Sequence, residues 1–228
     1  LGLNAGLQVK SVRKKMNDTL VTNDQLRIPY FSFDMSMADN YGSTQFTPMF
    51  NFSPEDFLGA SSENHSLTSR TGTGAFYFKY EQDLNRFQRM PFDSYATLRT
   101  NYMVATHTMP SSEQLQIGGF NSVRGYPEGD YLADIGGYAQ FDWYFPLYFI
   151  PKSYKLKDMD MPLRNRIEPI LFSDVAQGKL KKVLPGEERD KSLAGIGGGF
   201  RLRPAENVTA LFEWAKRVGD RPQSGSGP

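Results

Sequence analysis

Along most of this chain apolar and polar side chains alternate at period two, and a helical period of 3.6 is hard to find. Alternation of that kind specifies strands that show different surroundings on their two faces. Nine candidate strands emerge, at 3–15, 25–39, 44–53, 72–84, 93–107, 133–148, 164–177, 191–203 and 207–217. The sixth is the clearest: Ala139, Phe141, Trp143 and Phe145 share one face, and Tyr138, Gln140, Asp142 and Tyr144 share the other. In the fourth, Phe76, Phe78 and Tyr80 oppose Tyr77, Lys79 and Glu81; in the fifth, Ala96, Leu98, Tyr102 and Val104 oppose Thr97, Arg99 and Asn101.

The longest unbroken apolar run, Trp143 to Ile150, is far short of the roughly 20 residues that a spanning helix needs, so a helical membrane protein is excluded. A transmembrane β-barrel is not excluded. Its strands need about 9–11 residues each and turn every second side chain to lipid, which keeps the average polar. A mean hydropathy of −0.50 with 14% aromatic residues fits that case. The connections alternate in length: 16–24, 54–71, 108–132 and 178–190 are the longer ones, 40–43, 85–92 and 204–206 the shorter, as in barrels with short periplasmic turns and long external loops. The connection 149–163 is longer than that rule would have it. Tyr144, Phe145, Tyr148 and Phe149 cluster where an interfacial girdle would sit. Alternation alone serves a soluble all-β protein with a packed interior equally well.

With 26 basic and 25 acidic side chains, the charge gives no electrostatic ground for a nucleic-acid partner. Without cysteine there is no disulfide framework and no thiolate chemistry. The chain opens at Leu1 with no apolar targeting segment and closes on a polar run, 219–228, so it reads as a mature product or an excised piece. Enzyme constellations are thin. His65 and His107 lie far apart with no second ligand spaced around them, Ser111-Ser112-Glu113 has no base nearby, and Gly195 to Gly199 precede no helix that would make a phosphate loop. Asp158 and Asp160 sit in a charged connection, and Lys179 to Lys182 read as a solvated loop face. No catalysis, metal or cofactor is expected.

Residues 111–130, SSEQLQIGGFNSVRGYPEGD, stop looking generic. They closely resemble the signature of the TpsB transporters of two-partner secretion, the haemolysin activation and secretion proteins, within the superfamily that includes the BamA assembly factor. Val123, Arg124, Gly125 and Tyr126 resemble the tip of that superfamily's sixth external loop; Glu113 and Gln114, followed by Gly118 and Gly119, resemble the TpsB lead-in. Three further segments resemble the family in the same order: Asp142 four positions before Pro146, Asp174 within 170–176, and a glycine strand with Gly195, Gly197 and Gly199. These motifs cover roughly 72–217, and the first 71 residues match only through strand pattern.

The resemblance implies an all-β fold, a transmembrane antiparallel β-barrel of which 1–228 supplies about nine of sixteen strands, the seventh to the fifteenth. No POTRA domain or signal peptide is visible. It also implies an outer-membrane location and a long loop six folded into the lumen, with Arg124 pairing with Asp142 and Asp174 on the wall. Gly195, Gly197 and Gly199 either mark a tightly curved strand or leave wall free for the loop, and both readings stand. The implied function is export of an unfolded exoprotein partner to the cell surface. The alternative branch is a BamA-like assembly factor; a passive porin or soluble binding barrel is a different class. The implied partners are the exoprotein, outer-membrane lipid and other outer-membrane or periplasmic assembly components.

Overall fold

A computed structural model describes residues 1–62, 66–70, 73, 76–155, 162–205 and 207–223; His65, Asp158 and Asp160 lie outside the described residues. The described residues form one large antiparallel sheet from β1 (Gly2–Met16), β2 (Thr19–Asp39), β3 (Gly42–Ser53), β4 (Tyr77–Arg89), β5 (Tyr95–Ala105), β8 (Ile135–Tyr144), β9 (Ile167–Lys179), β10 (Asp190–Ala205) and β11 (Val208–Arg217), paired in that order. Between β5 and β8 a separate two-stranded ribbon pairs β6 (Leu115–Ile117) with β7 (Tyr131–Ala133). The sheet has nine strands, and every neighbour in it is also the next strand of the sheet along the chain.

The faces are inverted relative to a protein with an apolar interior. Along β9, Glu168, Ile170, Phe172, Asp174 and Ala176 are buried, while Leu171 and Val175 are exposed. On β8 the buried pair is Gln140 and Asp142, and the exposed pair is Phe141 and Trp143. Phe31, Phe52, Phe78, Phe200, Phe212 and Trp214 are exposed as well. Large aromatics on the outside with carboxylates and amides inside is the arrangement of a barrel wall that faces hydrocarbon.

Three strands differ from the sequence reading by four residues or more at an end, the sixth because it stops at Tyr144 rather than at 148. The segment 16–24 is not one of the longer loops: Asn17 and Asp18 form a two-residue turn, both at positive φ (48° and 60°), and β2 starts at Thr19. Asn and Asp tolerate that backbone, which matches the twist of the flanking strands. The stretch reads as loop because both faces of the hairpin end are solvated and polar. The fourth strand starts at Tyr77 rather than 72 and continues to Arg89, absorbing most of the short connection placed at 85–92. There Asp83, Asn85, Arg86 and Gln88 leave both faces polar, so alternation fades while pairing with β3 and β5 continues to Arg89.

Loop 106–134 decides the shape. Its Glu113 touches Lys10 on β1, and its Arg124 touches Glu213 on β11. A flat nine-stranded sheet would hold its outermost strands about 38 Å apart. Reaching both from one loop requires the sheet to curve around it. The apolar core lies between loop and wall: Met109, Leu115, Ile117, Val123, Tyr131 and Ala133 of the loop pack with Leu26, Ile28, Tyr77, Met103, Ala176 and Leu193 of the strands.

Candidate functional site

The loop is held at two levels. At its root, β6 and β7 pair over only three residues each, with Leu115 opposite Ala133 and Ile117 opposite Tyr131, and close off the segment 118–130. Glu113, buried, accepts hydrogen bonds from Lys10 Nζ at 2.6 Å and Lys79 Nζ at 3.0 Å. Asp134, fully buried at the other leg, accepts from the Met109 and Lys181 amides and from Gln114 Nε2 at 2.9–3.1 Å. Burial, the largest influence, pushes the Tyr131 phenol up to about 12. Its hydroxyl shares its one proton between the Glu188 and Arg189 carbonyls of the β9–β10 connection, each at 2.9 Å.

Above the root the chain turns on glycines. Gly118 and Gly119 have φ of 104° and 93°, and Gly125 has φ of 92°, conformations that other residues adopt only with strain. Gly118 N–H donates to Ser122 Oγ at 2.7 Å, and Gly119 bridges to Val123. Val123 is fully buried in the core cluster, while the Tyr126 hydroxyl donates to the Asp220 carbonyl at 2.9 Å. Gly125 lies against Ala215 and Arg217 of β11.

The Arg124 side chain is 6% exposed, and three carboxylates converge on it. Asp174 takes three hydrogen bonds: from the Arg124 amide at 2.9 Å, from Nε at 2.8 Å and from Nη2 at 2.6 Å. Asp142 Oδ1 is ion-paired with Nη2 at 2.7 Å without being aligned as a hydrogen bond, and its Oδ2 accepts from Thr97 Oγ1 at 3.3 Å. Glu213 Oε1 accepts from Nη1 at 2.8 Å. The guanidinium carbon sits 3.7 Å from the centre of the Phe172 ring. Planar geometry and permanent charge let one arginine serve all four partners, which a lysine could not.

The glycine strand makes room. A Cβ at Gly195 would run into the Arg124 carbonyl oxygen, one at Gly197 into the Phe172 ring and the Trp214 carbonyl, and one at Gly199 into the Phe212 carbonyl. Gly195 therefore gives space to the loop itself and Gly197 to the ring beneath its arginine, whereas Gly199 reflects close packing against β11. The structure brings Arg124, Asp142, Asp174, Gly195 and Gly197 together, and sets Glu113 and Gln114 apart at the root.

Sequence reasoning missed Glu213, Phe172 and the pair Lys10 and Lys79. Period-two spacing within β11 signals that Glu213 lies opposite Phe212 and Trp214. Nothing in the sequence signals that Lys10 and Lys79, 69 positions apart, meet one carboxylate.

The family model of the haemolysin secretion/activation proteins ShlB/FhaC/HecB matches residues 1–202. The chain belongs to this family. Its members are the TpsB transporters, outer-membrane β-barrels of two-partner secretion, and the match includes the first 71 residues, where strand pattern is the only likeness readable by eye. Among solved structures, CdiB from Escherichia coli superposes with a TM-score of 0.73 at 16% identity, over 96% of this chain and 39% of that one. The shared feature at that identity is the fold, and this TpsB chain spans about two fifths of the length of CdiB. No curated protein sequence matches it.

Proposed function

We propose that this chain forms part of the barrel of an outer-membrane pore that passes an unfolded exoprotein from the periplasm to the cell surface, with the loop centred on Arg124 holding the barrel in one of its working states. The observation that carries this reading is a loop drawn onto the polar, concave face of a wall whose other face is aromatic and aliphatic, and clamped there by Arg124 against Asp142, Asp174 and Glu213. A buried ion cluster of this kind fixes a conformation more effectively than it adds stability. Membership in a secretion family supports the exported polypeptide as partner, and the exposed outer face supports contact with membrane lipid. The role is transport rather than catalysis.

The test uses the complete protein with its secreted partner. Arg124→Ala should leave a heat-modifiable barrel in the outer membrane while secretion falls sharply. Undiminished secretion would remove Arg124 from the transport mechanism.

A further inference from the structure

Glu113 stands out because its partners come from strands that are not neighbours. Lys10 is on β1 and Lys79 on β4, with β2 and β3 between them, yet both ammonium groups reach the two oxygens of one carboxylate. The side chain is 2% exposed, Lys79 is 7% exposed, and Lys79 also contacts Glu81 at 3.2 Å. None of these groups touches the Arg124 cluster, whose wall partners lie on β8, β9 and β11. The first leg of the root is thus held on the β1–β4 arc, while its second leg, through Tyr131 and Asp134, and the tip, through Arg124, are held on the β8–β11 side. Between the first leg and the tip run Gly118 and Gly119, both at positive φ, where the backbone changes direction. The root carries the apolar packing of Leu115, Ile117, Tyr131 and Ala133, so it has reasons to stay put that do not depend on the arginine.

We infer that Glu113 is a positioning residue that pins the root of the loop to the β1–β4 arc, so that release of Arg124 swings segment 118–130 about the root and leaves the loop inside the barrel. This rests on the proposed role of the loop in export and adds a fixed pivot to it. The physical basis is that removing one member of a buried ion cluster leaves its partners uncompensated, so each cluster resists opening by itself, and two clusters without shared members open independently.

The chain has no cysteine, so single cysteines in the complete protein report loop position directly if any cysteine elsewhere in it is first replaced. Ser122→Cys marks the tip and Leu115→Cys the root; both positions are buried. The rate of reaction with a membrane-impermeant maleimide is read in outer-membrane preparations, with secretion of the partner measured in parallel. In the Arg124→Ala background, labelling at position 122 should rise about tenfold or more while position 115 changes less than about twofold. Adding Glu113→Gln should then expose position 115 by a comparable factor. If Glu113→Gln is not recovered as a barrel, Lys10→Met, on the partly exposed partner, should give a smaller rise at 115 in the same background. Simultaneous exposure of 115 and 122 in Arg124→Ala alone would overturn the inference, as would a root that stays protected when Arg124→Ala is combined with Glu113→Gln, or with Lys10→Met where that variant takes its place. Because labelling reads position and secretion reads transport, an unchanged secretion level with the expected labelling would reject the export role of the loop and leave the pivot standing.

Discussion

At Arg124 one positive charge faces three carboxylates, and the surplus of negative charge orders their importance. Asp174 is fully buried and receives three donors from Arg124, including the backbone amide, so Asp174→Asn leaves both a guanidinium and an amide poorly matched. We expect it to cost about 3 kcal/mol or more. Glu213 takes one hydrogen bond and crowds two other anions, so Glu213→Gln should cost less than about 1 kcal/mol, since lost attraction is offset by relieved repulsion. Urea unfolding midpoints of the complete protein in lipid vesicles check the order; equal losses would mean that Asp174 and Glu213 are equivalent. Phe172→Leu removes the ring under the guanidinium at 3.7 Å and should lower stability by about 1 kcal/mol in the same measurement. At this scale the motif that marks the loop is legible in the sequence, because Val123 to Tyr126 are contiguous. The aromatic floor and the third acid are not, because they lie 48 and 89 positions away and become neighbours only across the curved wall.

Among the elements, β9 shows how directly side-chain period sets the environment. Glu168, Phe172 and Asp174 lie on the covered face and Leu171 and Val175 on the exposed one, so a shift of one residue would send the acids into hydrocarbon. Val175→Arg places a charge on the lipid face near the middle of the strand and should cost about 2 kcal/mol or more, whereas Asn85→Lys, on the uncovered part of the concave face of β4, should stay within about 0.5 kcal/mol. Folding yield into vesicles separates the two, and equal tolerance would contradict the assignment of faces. The turn at Asn17 and Asp18 makes a second prediction: Asp18→Gly should be neutral or mildly stabilising and Asp18→Val should lose about 1 kcal/mol, because φ at this position is 60°. Strand number and facing were readable from alternation along most of the chain. They blurred at the end of β4 and at the tip of the first hairpin, where polar residues on both faces erase the period that pairing partners then supply.

Taken as a whole molecule, the sheet carries edges at β1 and β11 that have no partner among the described residues. In hydrocarbon each unpaired amide or carbonyl costs several kcal/mol, so further pairing is needed at both edges. Residues 1–228 expressed alone should therefore fail to give a heat-modifiable species in outer-membrane vesicles, while the same residues joined to strands that pair with those edges should give one; a compact, heat-modifiable product from the segment alone would refute this. Covalent order by itself determined that the chain makes strands, which face of each is apolar, that the long connection before β8 differs from the rest, and that a glycine-rich strand follows it. Only the tertiary structure decided that Glu113 meets Lys10 and Lys79, that Glu213 joins Asp142 and Asp174, and that the loop bridges the first and last strands of the sheet. The reason is geometric. Period two fixes the direction of a side chain relative to its own strand, whereas its partner across the interior depends on how far the whole sheet curves and how deeply the loop enters, and both follow from contacts among all the strands together.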